Sequence, residues 1–286
     1  MEINHIKIPA TDGFELASTV YQPDPADANH KVVLIAPAMA VKRSYYDKYA
    51  RFLTAEGFAV VTFDCRGIGD SRPPSLKGFE ATLRDWGEKD MVGLIEWITA
   101  RYPSAKLLVV SHSVGGQLMG LVRNNHKVTA LLAIAAQSGY WRLWDPPGRR
   151  YFMCVFWYVI LPVLTSLFSY FPGRRIEMGE DVPAGVALQW ATWGRNPNYI
   201  IDQHGQPIRE HFRTFSVPLL AYSIEDDTDA PRRTVEGLLG VYSQAAIRHR
   251  HLSPEDLSVA AIGHFGFFRE PFRSSLWTDT VHWLKQ

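Results

Sequence analysis

At 286 residues, with 47% hydrophobic and 21% charged side chains, the chain can build a sizeable core and is not a disordered polymer. A formal charge of +1 leaves no global field to draw it to nucleic acid or to anionic lipid. Its two cysteines, Cys65 and Cys154, lie far apart without metal-type spacing, which argues against a disulfide framework or a zinc site and suits a reducing compartment.

The start, Met1 to Pro9, has no basic stretch leading into an apolar core, so no secretory signal is read and a cytoplasmic location is expected. Ile3 to Ile8 and Leu16 to Tyr21, separated by Thr11-Asp12-Gly13, predict a β-hairpin. Val32 to Ala36 is a short continuous apolar run, the mark of a strand buried on both faces, and Ser44 to Glu56 follows with helical spacing up to Gly57. Phe58 to Asp64 predicts a second buried strand, and Leu83 to Arg101 a long amphipathic helix. Ala130 to Ala135 adds another buried strand. Strands alternating with helices in this way predict an α/β fold with a mostly parallel central sheet and helices on both faces.

From Gln137 to Phe215 the alternation lapses. This stretch holds five of the nine tryptophans and loops rich in Gly, Pro and Asn, and it is expected to be a helical cap inserted into a core of residues 1–136 and 216–286. Within it, Tyr151 to Phe171 is 21 residues without a formal charge, long enough to test as a membrane span. Arginines at both ends give no orientation, Pro162 interrupts the middle, and a span would part Ser113 from everything after Arg175. The expectation is a pair of cap helices kinked at Pro162, with no transmembrane span; seating on a membrane surface through this face is a further reading. Regular order resumes with a strand at Val217 to Ser223, an acidic turn, a helix from Pro231 to about Ala246, a strand at Leu257 to Ile262 and a closing helix from Pro271 to Leu284. The Arg248-His249-Arg250-His251 run is read as a solvated helix end or loop.

The stretch with most chemical content is Lys106 to Val122. The apolar run Leu107 to Val110 stops at Ser111-His112-Ser113, and a helical pattern with Leu118, Leu121 and Val122 follows. Strand, sharp turn and helix put Ser113 at the apex, where small neighbours (Ser111, Gly115, Gly116) let the two elements approach. Two later strand ends carry groups suited to acyl transfer: Glu225 to Asp229, and Gly263 to Phe268 around His264. A serine needs an imidazole to take its proton, and the imidazole needs a carboxylate to fix its tautomer. His264 is the candidate base; the other nine histidines, His112 included, are read as surface residues.

These residues resemble the α/β-hydrolase superfamily, lipase-like or serine aminopeptidase-like. Ser111-x-Ser113-x-Gly115 is similar to its G-x-S-x-G nucleophile elbow with Ser in first place, the order Ser, acid, His is that of the family, and Asp64-x-Arg66-Gly67-x-Gly69-x-Ser71 looks like its D-x-R-G-x-G-x-S loop. The resemblance implies an α/β-hydrolase fold with Ser113 as nucleophile and His264 as base. The family's acid lies three residues after a strand-ending Gly; Ser223 holds that place, which selects Asp226, with Asp227 the alternative. Backbone N–H groups of Val114 and, by position, Ala38 would hold the oxyanion, with Met39 as the fallback for Ala38. Arg66 is expected to brace its loop through ion pairs.

The function expected is a serine hydrolase of an ester, thioester or amide, working through an acyl-enzyme on a small-molecule substrate with an apolar acyl or aromatic group. No cofactor, no metal and no nucleic-acid partner are expected. The alternatives are an acyltransferase or a carbon–carbon bond hydrolase on the same triad, and a non-catalytic binding protein of the same fold.

Overall fold

The computed structural model describes every residue from Met1 to Gln286. Strands β1 (Glu2–Pro9) and β2 (Glu15–Gln22) form the expected antiparallel hairpin. Six further strands complete one eight-stranded sheet: β3 (Lys31–Ala36), β4 (Ala59–Phe63), β5 (Lys106–His112), β6 (Val128–Ile134), β9 (Pro218–Ile224) and β10 (Ala246–Leu252). Between them in the chain, β7 (Tyr170–Phe171) and β8 (Val182–Pro183) make a separate two-stranded ribbon. The large sheet runs in the order β1-β2-β4-β3-β5-β6-β9-β10. β2 is antiparallel to β1 and β4, and every other pairing is parallel.

Strand order reverses at β3, because the chain passes from β3 to β4 on one side and returns to β5 on the other. Loops leaving β3 and β5 therefore diverge to opposite faces and open a crevice at their carboxyl ends, the place where open parallel sheets bind ligands. All five residues of β4 are buried, and β5 is buried from Leu107 onward, as strands covered by helices on both faces must be. The helix Asp47–Ala55 shares a face with the C-terminal helices: Tyr49 meets Trp277 edge-on at 5.3 Å between ring centres, and its hydroxyl pairs with that of Thr280 at 3.1 Å.

Three local expectations are corrected. The Arg248–His251 run lies in β10, the sheet's edge strand, where one open side tolerates the charged and polar side chains that hid it from an apolar-run criterion. His249 and His251, two apart and so on one face, both reach the Ser223 hydroxyl, at 2.7 and 2.8 Å. Leu257 to Ile262 forms no strand; Ser258 is left-handed, at φ +55°, and breaks the extended run. Pro162 does not divide its helix in two. One helix runs Pro147–Phe168, and the residues just before the proline, Phe156–Ile160, form a π turn, which absorbs a ring that cannot donate or fit a regular α-turn.

The segment 137–215 contains that helix, the β7–β8 ribbon and the helix Ala184–Arg195. Indole N–H groups hold it: Trp144 Nε1 ties it to the Thr228 carbonyl at 3.1 Å, and within the segment Trp157 Nε1 donates to Gly139 O and Trp193 Nε1 to Ile201 O, each at 3.0 Å.

The Asp64–Ser71 loop is braced as its sequence suggests. Arg66, almost wholly buried, donates from Nε to Asp90 at 2.7 Å and from Nη1 and Nη2 to Asp12 at 2.7 and 2.9 Å. Its guanidinium holds the Asp12 carboxyl well below the usual carboxylate range, by hydrogen bond and by charge and against the opposing pull of burial. Gly69, at φ +51°, lies against the Asp64 carboxylate, where a Cβ would come within 2.4 Å of Oδ2. Because Asp90 is completely buried, removing its partner strands a charge. Arg66→Ala is expected to lower unfolding stability in urea by about 3–5 kcal/mol, whereas a loss under about 1 kcal/mol would show the pair to be dispensable.

Candidate active site

The elbow forms because β5 ends against a helix with no room for a loop. Ser113 is forced to φ +50°, ψ −115°, and its N–H donates to Ile134 O at 2.9 Å on the neighbouring strand. The close approach explains Gly115: a Cβ there would stand 2.3 Å from the Ala36 carbonyl oxygen at the end of β3. Ser113 is thereby held at the carboxyl end of β5, in the crevice.

His264 lies in a short helix, Gly263–Gly266, whose first residue, Gly263, is left-handed at φ +62°. Its Nδ1 pairs with Asp227 Oδ2 at 2.7 Å. The sequence selects Asp226 for that place, and the structure overturns the selection. Asp226 turns to the backbone, accepting the N–H groups of Ile262 and Gly263 at 2.8 and 2.9 Å, and so fixes the loop that carries His264. One residue on, Asp227 is fully buried, and its Oδ1 accepts the N–H groups of Asp229 and Ala230, each at 2.8 Å, leaving Oδ2 for the imidazole. Burial pulls the His264 pKa down, but the charge and hydrogen bond of Asp227 outweigh it, and the result lies above the ordinary value of 6.5. With Nδ1 taken, Nε2 has no protein partner, and His264 and Ser113 line one cavity.

Two buried hydrogen-bond chains surround the pair, neither foreseen from the sequence. In the first, the Trp190 indole, which can only donate, gives its hydrogen to Tyr199 Oη (3.0 Å); Tyr199 donates to Gln117 Oε1 (2.7 Å), and Gln117 Nε2 to Gln137 Oε1 (3.1 Å). The direction of donation fixes the Gln137 oxygen toward Ser113, whose hydroxyl donates to it across a long 3.4 Å. In the second, His112 is buried, not at the surface as expected. Its Nε2 donates to the His264 carbonyl (2.9 Å), so Nδ1 accepts from the Tyr46 hydroxyl (2.9 Å), and Tyr46 Oη accepts from the Ala38 N–H (2.9 Å). Burial, with His264 nearby, pushes the His112 pKa well below 6.5 and keeps the neutral ring this chain requires. Gln117 carried a sequence signal, standing one helical turn after Ser113; Gln137, just past the end of β6, did not.

That second chain corrects the oxyanion assignment. The Ala38 N–H is committed to Tyr46 and points into the protein. The next amide, Met39 N–H, has no protein acceptor, and Met39 lines the cavity with Ser113. The Val114 N–H opens the helix Val114–Leu118, where no intrahelical carbonyl reaches it.

The cavity holds about 460 Å³. Beyond Ser113 and His264 its walls are mainly apolar, with Phe152, Trp157, Leu161, Phe171 and Trp190 from the segment above the sheet. Ligand atoms of Asp227, Asp229 and His264 fall within 4.8 Å of one another, a spacing a metal ion could use. Each already has a partner: Asp227 and His264 hold each other, and Asp229 pairs with Arg149 Nη2 at 2.5 Å. Ion pairing accounts for the cluster.

Comparison with known proteins agrees with this fold. A family model for the serine aminopeptidases (S33) matches residues 27–167, just under half the chain and including the elbow. No curated protein sequence matches significantly. Among solved structures, the chain is similar to DcsB, solved with its substrate analogue (TM-score 0.68, 12% identity, covering 99% of each chain). It is also similar to the esterase domain of a Rhodothermus marinus protein (TM-score 0.61, 16% identity, 100% of this chain and 98% of that one). The esterase EaEST of Exiguobacterium antarcticum gives 0.62 at 15% identity over 99% of this chain and 100% of its own. At such identities these likenesses speak for the fold. Taken with the family match and the strand order, they show that the chain has the α/β-hydrolase fold and is similar to the serine hydrolases that share it.

Proposed function

We propose that the protein hydrolyses a carboxylic ester with an apolar acyl or aryl group through an acyl-enzyme. Ser113 Oγ attacks the carbonyl carbon and His264 Nε2 takes its proton. Asp227 holds the imidazole in the tautomer with its hydrogen on Nδ1 and stabilises the imidazolium. The N–H groups of Val114 and Met39 receive the oxyanion as the tetrahedral intermediate forms. His264 then protonates the leaving alcohol, and a water molecule, activated by the same imidazole, releases the acid. In the resting protein the serine hydroxyl leans on Gln137; catalysis requires it to turn to His264, an adjustment of the kind that hydroxyls make when substrate arrives.

The observation that carries the reading is the buried Asp227–His264 pair, whose imidazole shares one apolar cavity with an elbow serine. Reaction with a fluorophosphonate tests it directly: a covalent adduct on Ser113 in the folded protein is expected, and its absence would overturn the proposal. With p-nitrophenyl esters of increasing chain length, kcat/KM is expected to rise about fourfold per methylene until the cavity is full, following about 0.8 kcal/mol for each buried group. A maximum at acetate would mean that the apolar walls serve packing alone.

A further inference from the structure

The helix Pro147–Phe168 turns one side into the protein and leaves the other bare. Met153, Phe156, Trp157, Leu161 and Thr165 are buried. Tyr151, Val155, Val159, Val163 and Leu167, spaced by four, form an exposed stripe about 24 Å long at 1.5 Å per residue, with Tyr158 beside it. Leu167 is 73% exposed and Tyr151 67%. No charged residue occurs between Arg150 and Arg174, although the water-facing side of a helix is where charges normally gather. Seven of the thirteen large apolar side chains exposed anywhere on the protein lie on this one helix, so they make a patch, not a scatter.

Charge says what covers it. Of the five arginines from 140 to 178, Arg149, Arg150 and Arg174 are held by Asp229, Asp145 and Glu180, which leaves Arg142 and Arg175 as cations without an ion-pair partner. Arg149 and Arg150 stand before the stripe and Arg174 and Arg175 after it, and Arg195 lies over the Tyr158 ring, 4.9 Å from its centre. Basic residues at both ends cannot orient a helix across a bilayer, but a helix lying in one leaflet meets the same headgroups at both ends. A second copy of this chain docking face to face would set the unpaired Arg142 and Arg175 against their own kind; an anionic lipid surface brings the opposite sign.

We infer that this face seats the protein on an anionic membrane surface, with the helix parallel to the bilayer and its stripe among the outer acyl carbons. Aromatic Tyr151 and Tyr158 fit the boundary, where a ring meets hydrocarbon and a hydroxyl meets water. Binding does not depend on the proposed reaction. If that reading holds, Phe152, which is both exposed on this helix and part of the cavity wall, links the lipid-facing side to the site.

Flotation of the full chain with phosphatidylcholine vesicles, with and without phosphatidylglycerol, tests the inference without any activity measurement. The wild type is expected to float with the anionic vesicles, less with the neutral ones, and less again as salt rises. The double variant Val159→Asp, Leu167→Asp, at two exposed positions outside the cavity, is expected to keep the wild-type melting temperature and to lose flotation by about tenfold or more. Arg175→Glu is expected to weaken binding to anionic vesicles only. Wild-type protein that stays at the bottom of the gradient would overturn the inference, as would a double variant that floats undiminished. So would a dimer in sedimentation that the double variant dissociates, since the face would then belong to a second copy.

Discussion

Asp227→Asn is expected to lower kcat by about 10⁴-fold on a p-nitrophenyl ester while Asp226→Asn lowers it less than about tenfold. The two carboxylates are adjacent in sequence, but they do different work. Asp227 Oδ2 fixes the hydrogen of His264 on Nδ1 and leaves Nε2 as the base; an amide in its place can present its NH₂ group and favour the wrong tautomer. Asp226 holds two backbone N–H groups of the loop before His264, and Asn keeps an acceptor there. The pH profile supplies a second readout. Activity needs neutral His264, whose pKa is raised by Asp227, so the wild-type rate falls as pH drops through a value above 6.5. Without the neighbouring charge that value falls, and the acid limb of the Asp227→Asn profile moves to lower pH. Equal losses in the two variants, or an acid limb that stays in place, would return the role of acid to open question.

For Ser113→Ala the expected loss in kcat is larger, about 10⁶-fold, with no fluorophosphonate adduct and an unchanged melting temperature. Removing the hydroxyl breaks only the long 3.4 Å contact to Gln137, and alanine meets the same backbone conformation as serine, so stability has little to lose. The remaining Val114 and Met39 amides and the cavity still bind ester, so KM is expected to change far less than kcat. Measurable turnover within about tenfold of wild type would show that another group performs the attack.

The parallel sheet was legible because buried strands are short, apolar and separated by helices at regular intervals, as Val32 to Ala36 and Phe58 to Asp64 were. β10 was not, because an edge strand escapes the rule of two covered faces and reads as a charged loop. Ser113 and His264 stood out through neighbours that the backbone itself demands: Gly115 where β3 passes too close for a Cβ, and Gly263 where the chain turns left-handed. The choice between Asp226 and Asp227 could not be read in the same way. It depends on how one turn winds against a loop 37 residues later, and a shift of one residue exchanges a side chain that meets the imidazole for one that meets the backbone.

The sequence by itself determined the layered α/β architecture, the elbow and the identity of its serine, since each follows from local periodicity, residue size and backbone freedom. Only the tertiary structure set Asp227 against His264, turned the Ala38 amide inward to Tyr46, buried His112 as a neutral strut and set the Gln137 oxygen beside Ser113. Those outcomes are hydrogen bonds between segments far apart in the chain. Such bonds are settled by which donors and acceptors remain unpaired once the strands and helices have packed, a balance that no single stretch of residues contains.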